Sequence, residues 1–158
     1  MKRSILIPMF LSLLTVIWAF PAALAAPERP FNGHMSGNSI ATSQTTNHIT
    51  ATIFLEHLGK SQLDGTTTVT GFSDCNGFVG TEQDTITAPN GDKIFISGNG
   101  VSCPASPTVF QDTVAFTVTG GTGRFSDASG SGKVQTTINI TSQTTATFTA
   151  NISGTIAY

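Results

Sequence analysis

Glu82 and Asp84 are two carboxylic acids separated by one residue, within a segment from Phe78 to Thr87 that predicts a β-strand. Side chains two residues apart lie on the same face of a strand. Two neighbouring carboxylates can raise the pKa of one of them, which suits acid–base catalysis. The simpler interpretation, which we prefer here, is a solvated strand face close to a turn.

Glu56 and His57 are a second, weaker pair of candidate catalytic residues. Neighbouring residues on a strand point to opposite faces, so these two cannot form a catalytic dyad there. If His57 instead opens a turn, we expect it to form a hydrogen bond that fixes the loop.

The sequence predicts neither a cofactor nor a metal ion. Two cysteines and three scattered histidines show no metal-ligand spacing. Gly121 and Gly123 are followed by Ser126, so the spacing of a dinucleotide-binding loop is not met.

Cys75 and Cys103, with 27 residues between them, are the only cysteines of the chain. In an oxidising compartment we expect one disulfide between them. A pair of free thiols and a catalytic thiol are the alternatives.

Residues 1–25 have the pattern of a cleaved signal peptide. Lys2 and Arg3 precede an apolar run, and Ala23-Leu24-Ala25 forms a small-x-small cleavage site. A single membrane anchor is the alternative, but the apolar run is short and contains Pro8. We therefore predict a secreted or periplasmic protein, with no membrane association after cleavage.

Residues 26–158 are expected to form one domain, in which five basic residues and nine acidic residues leave a formal charge of −4. A mildly acidic chain without a basic cluster is a poor nucleic-acid ligand, because neutralising phosphates supplies most of that affinity. No nucleic-acid partner is predicted.

The dominant period of these residues is two, which predicts strands and no convincing helix. Apolar residues alternate with threonine on three late segments, and shared parity places one apolar set inside the fold: Val114, Phe116, Val118, Ile138, Ile140, Phe148 and Ile152. Pro104 and Pro107 interrupt the only stretch long enough for a helix.

Turn residues separate the predicted strands. Asn90-Gly91-Asp92 predicts a type I′ hairpin, with positive φ at both central positions. Further turns are expected at Leu63-Asp64-Gly65, Asp74 to Gly77, and Thr141-Ser142-Gln143. Seven or eight strands of this kind favour a closed antiparallel barrel of about eight strands. A β-sandwich is the alternative.

Thr119 to Gly132 is a glycine-rich corner between two predicted strands. Its structural residues are expected to be Gly120, Gly121, Gly123, Arg124, Phe125 and Gly130. We expect positive φ at Gly123, Phe125 tucked under the barrel end, and Arg124 clasping carbonyls or a carboxylate such as Asp127.

Three short segments resemble allene oxide cyclase and dirigent barrels, including their small secreted relatives. They are His57-Leu58-Gly59-Lys60, Ala88-Pro89-Asn90-Gly91-Asp92, and the corner containing Gly120-Gly121-Thr122-Gly123-Arg124-Phe125. The resemblance implies an eight-stranded antiparallel barrel with an apolar interior. It also implies chemistry on reactive intermediates inside the barrel, and a trimeric assembly. No catalytic position of that family carries over residue by residue.

These observations lead us to expect a non-catalytic secreted barrel that binds a small apolar ligand or serves a surface or matrix role. The alternative is a cyclase-like enzyme, an isomerase or dirigent-type protein acting on a reactive apolar intermediate. A third option, ice or crystal binding through threonine faces, lacks the regular repeat that it needs. An open cavity with convergent polar groups would favour a ligand or substrate site, whereas a filled core would favour a structural role.

Overall fold

The computed structural model describes residues 26–158, so the predicted signal peptide (1–25) lies outside the described residues. These residues form nine strands and one short 3-10 turn, Gly123–Phe125. The strands are β1 Glu28–Pro30, β2 Gly33–Ala41, β3 Thr46–Leu55, β4 Gly59–Phe72, β5 Phe78–Thr87, β6 Lys93–Ser106, β7 Val109–Gly121, β8 Ser129–Ile140 and β9 Thr145–Ala157.

Strands β2 to β9 form a closed antiparallel barrel. Each strand pairs with the next along the chain, and β9 closes the ring by pairing with both β8 and β2. The short β1 is a ninth strand that pairs with the end of β9, from Glu28 opposite Ala157 to Pro30 opposite Thr155. The predicted all-β barrel is therefore confirmed, and the sandwich alternative is wrong.

Alternation along the strands divides the inside of the barrel from the outside. Of the seven residues predicted inside on the late strands, five are buried: Val114, Phe116, Val118, Phe148 and Ile152. Ile138 is partly buried against the core. Ile140 has the same parity but is 41% exposed, because it lies at the open end of the barrel where no layer of side chains covers it.

One end of the barrel is filled by side chains. Phe31 and Phe125 are fully buried there. The Phe31 ring lies edge-on to Phe116 at 5.9 Å between centroids, and the Tyr158 ring lies edge-on to Phe125 at 4.7 Å. We call this the closed end, and the opposite end, where β2 ends and β3 begins, the open end.

The glycine-rich corner covers part of the closed end. Gly120 and Gly123 have φ values of 130° and 58°, in the region that L side chains rarely adopt. The Arg124 guanidinium stacks 4.7 Å from the Phe125 ring centroid. The expected clasp between Arg124 and Asp127 is not formed, because the guanidinium packs on aromatic rings and the Asp127 carboxylate accepts from the Ser126 hydroxyl.

Two turn predictions are wrong. Asp64-Gly65 is not a turn but the middle of β4, where Gly65 pairs with Ile49 on one side and Asp84 on the other. In the 90–92 hairpin only Gly91 has positive φ, at 88°, so the turn is not of type I′. The turn that precedes β4 lies at residues 56–58, before Asp64-Gly65, and contains His57 with a φ of 66°.

Strand β6 extends into the segment in which Pro104 interrupts a possible helix. It continues through Pro104 to Ser106, and its pairing with β7 becomes irregular between these two residues. Proline is accepted at such an irregularity because no regular ladder bond is required from it.

Replacing Gly123 by valine tests the geometry of the corner. A β-branched residue at this φ costs on the order of 1–3 kcal/mol. A Cβ there would also collide with the Asp92 side chain. We expect urea unfolding of Gly123→Val to show a clearly reduced free energy of unfolding.

Gly91→Val is the matched control, because Gly91 also has positive φ but a Cβ there would meet no atom within 4 Å. Gly123→Val should be less stable than Gly91→Val by the cost of the Asp92 collision. Wild-type stability in Gly123→Val would contradict this account.

Candidate functional site

A cavity of about 450 Å³ occupies the barrel interior toward the open end. Its wall is mainly aliphatic and aromatic, with Ile53, Ile96, Phe116 and Phe148 among the lining residues. Barrels of eight strands are wide enough either to fill with side chains or to hold one small ligand. In this barrel the half at the closed end is filled and the half at the open end is hollow.

A row of phenylalanines borders the opening. Phe78 and Phe110 line the cavity, with 6.2 Å between their ring centroids. Phe72 lies next to Phe78 at 5.9 Å and is 86% exposed. An apolar molecule that enters the barrel therefore meets aromatic surface first.

Three carboxyl groups line the cavity: Glu82 and Asp84 from β5, and Asp112 from β7. The preferred interpretation of Glu82 and Asp84 as a solvated face is wrong, since both point into the barrel. The sequence does contain an indication of this orientation. Glu82 and Asp84 lie an even number of residues from Ile86, which is fully buried, and therefore share its face of the strand. Asp112 was missed, although it shares the parity of Val114, which the sequence placed inside.

The pKa values of all three carboxyl groups are raised, and burial is the largest cause in each case. The pKa of Glu82 rises to about 8, with further contributions from the charges of Asp84 and Asp112. The pKa of Asp84 rises to about 7, with a contribution from Asp64. The pKa of Asp112 rises to about 6, and a hydrogen bond from the Thr113 backbone opposes the rise.

Inward-facing glycines make room for the carboxyl group of Asp84 and for the side chain of Val114. A Cβ at Gly65 would collide with Asp84 Oδ1, and a Cβ at Gly100 would lie 3.4 Å from Asp112 Oδ1. At Gly98, directly opposite Glu82 in the β5–β6 register, and at Gly100 a Cβ would meet the Val114 side chain, at 2.7 and 2.8 Å. Gly65 therefore clears space for an acid, and the two glycines of β6 clear space for an apolar side chain.

The carboxyl groups have no cationic partner among residues 26–158. No Lys, Arg or His lines the cavity, and the His48 ring contacts the Asp64 carboxylate on the outer surface, with 2.9 Å between Nε2 and Oδ2. Asp84 Oδ1 is out of contact with solvent and has no hydrogen-bond partner. Nor do any three His, Cys, Asp or Glu side chains of residues 26–158 lie close enough together to hold a metal ion.

Glu56 and His57 lie outside the cavity. They occupy the β3–β4 turn at the closed end, where the Glu56 carboxylate accepts from the Asn32 amide at 3.3 Å. The structure thus brings Glu82 and Asp84 together with Asp112, and leaves the other two candidates at the far end of the barrel.

The Cys75–Cys103 disulfide is confirmed. It joins the β4–β5 turn to β6 beside the opening, next to the phenylalanine row. Within residues 26–158 no helix is long and apolar enough to cross a membrane. The disulfide is compatible with an extracellular location.

Comparison of the chain with protein-family models, curated proteins and solved structures finds no match. The resemblance to allene oxide cyclase and dirigent barrels, and the trimer that it implies, stay predictions.

The raised pKa values predict that stability falls as pH rises. The folded protein holds the Glu82 proton up to about pH 8, whereas the unfolded chain releases it near 4.5, so the free energy of unfolding decreases between these values. Glu82→Gln removes this penalty and keeps the side-chain size. We expect the variant to exceed wild type by on the order of 3 kcal/mol at pH 9 and to match it near pH 5.

Urea unfolding at a series of pH values measures the effect, and Asp127→Asn, at an exposed position, is the control. That control should follow the wild-type profile. Equal stability of wild type and Glu82→Gln at pH 9 would show that the Glu82 carboxylate is not desolvated.

Proposed function

We propose that this protein is a small secreted barrel that binds a small, mainly apolar molecule inside its cavity. The observation that carries the proposal is the hollow open half of the barrel, about 450 Å³, in which three carboxyl groups interrupt an apolar wall. A pocket of this size with a few convergent polar groups is the usual form of a small-molecule site. A purely structural role would be served by a filled interior.

The cavity supplies both affinity and orientation. Removing about 200 Å² of apolar ligand surface from water is worth about 5 kcal/mol. The acids occupy β5 and β7, whereas β3 and β9 contribute apolar residues such as Ile53 and Phe148. A ligand with one polar end is thereby held in a defined orientation.

Export is part of the same proposal. It is supported by the signal-like residues 1–25 and by the disulfide, since disulfides persist in oxidising compartments. The disulfide fixes the β4–β5 turn at the entrance, where side-chain packing is sparse.

Filling the cavity should abolish binding. Thr136 lines the cavity, whereas Thr137, its neighbour on β8, faces outward and bonds Gln111 at 3.2 Å. N-phenyl-1-naphthylamine, a neutral apolar probe, should fluoresce on binding to wild type and to Thr137→Phe. Thr136→Phe should weaken its affinity at least tenfold.

Circular dichroism and urea unfolding would establish that both variants are folded. Equal binding by the two variants would place the probe outside the barrel and contradict the proposed site. Failure of the wild type to bind the probe would count against an apolar site of any kind.

A second function, a cyclase-like isomerase, is favoured by one specific observation. With a pKa of about 8, Glu82 is mostly protonated at neutral pH inside an apolar cavity. It is therefore placed to act as a general acid toward an epoxide or ether oxygen of a reactive apolar intermediate. Glu82 gives its proton to that oxygen and regains one as the product forms, so an isomerisation consumes no other reagent.

The two functions are separated by turnover. If the protein is an isomerase, it should convert an aryl-substituted vinyl epoxide faster than buffer does. Glu82→Gln should lower that rate by about 10²-fold or more while leaving N-phenyl-1-naphthylamine binding intact. If wild type converts the epoxide no faster than buffer does, the isomerase function is wrong and the binding function remains.

A further inference from the structure

We propose that the molecule bound in the cavity carries a cationic amine, which the acidic wall of Glu82, Asp84 and Asp112 recognises. This inference rests on the proposed function, because it names the chemical class of ligand for the same cavity. It deepens the description of the site from an apolar pocket to a pocket with one charged wall.

Charge inside the barrel is unbalanced. Three carboxyl groups face the cavity, and no cationic side chain of the described residues faces it with them. Buried charges in proteins are normally paired, because an unpaired charge is costly to remove from water. A cationic ligand supplies the missing counter-charge, whereas an anionic ligand adds to the repulsion.

The acidic wall also has the hydrogen-bonding character that an amine requires. All three carboxyl groups line the cavity, and an ionised carboxyl group only accepts hydrogen bonds. An ammonium group has three N–H donors and no acceptor, so it matches a wall that consists of acceptors.

The spacing of the three acids constrains the shape of the ligand. The acids do not converge on one point tightly enough for a metal ion. Gly98 and Gly100 lie on β6, between the strands of Glu82 and Asp112, and the Val114 side chain packs over both glycines. An organic cation fits this arrangement, with its amine at the acidic wall and its apolar body against the aliphatic and aromatic side chains of the cavity.

A matched series of small molecules tests the proposal directly. 4-Phenylbutylamine, 4-phenylbutan-1-ol and 4-phenylbutanoate share one apolar body and differ in the charge of the end group. Isothermal titration calorimetry at pH 8 should show the amine binding at least tenfold more tightly than the alcohol. The carboxylate should bind more weakly than both.

Replacing the acids by their amides should remove this preference. In the triple variant E82Q/D84N/D112N the amine and the alcohol should bind within threefold of each other, and circular dichroism should show the wild-type fold. Asp127→Asn, at the closed end, should retain the wild-type preference. Lowering the pH to 5 should also reduce the preference in wild type, as the carboxyl groups become protonated.

If the triple variant does not fold, the single variant Glu82→Gln serves in its place, with at least a threefold loss of preference. Equal binding of amine and alcohol by wild type, or a preference that survives in the acid-free variant, would overturn the amine proposal. In either case, binding of the neutral probe by wild type would still support the proposed apolar binding site. Absence of binding by all members of the series and by the probe would overturn both proposals.

Discussion

Strand β9 holds the architecture together because it closes the barrel: the other strands of the barrel pair with their neighbours in the chain, and β9 also pairs with β2. Its pairing with β8 runs the length of the strand, and its pairing with β2 joins the last strand of the barrel to the first. Without the second pairing the sheet would be open, with two exposed edges and no interior. The cavity, its depth and the separation of its inner and outer faces all follow from that closure.

Inside the closed ring, two requirements oppose each other. An apolar core would favour filling the open half, as Phe31 and Phe125 fill the closed half. The chain instead places Glu82, Asp84 and Asp112 there, and Gly65 leaves space for the Asp84 carboxyl group. Buried carboxyl groups without cations destabilise the fold. Features that oppose stability in this way are typical of functional sites.

Much of the fold follows from local pattern, and less of the site does. On β7 to β9 the apolar residues recur at every second position. This alternation alone predicts which side chains face the inside of the barrel. The sequence does not predict β2, because most of its residues are small or polar and Met35 is its one buried hydrophobic residue. It forms a strand through its pairing with β3 and β9. Gly65 was placed in a turn because Asp-Gly is a turn pair, whereas it serves to clear space for Asp84, which only the β4–β5 register reveals.

The three interior carboxyl groups also change how the whole molecule is charged. Nine acidic residues suggest a protein that is uniformly anionic above pH 5, but three of them give up their protons at about pH 6, 7 and 8. A third of the acidic residues thus titrate in the range where histidine usually provides the buffering. Near neutral pH the folded molecule carries less negative charge than its composition indicates, and its electrophoretic mobility reports the state of the cavity.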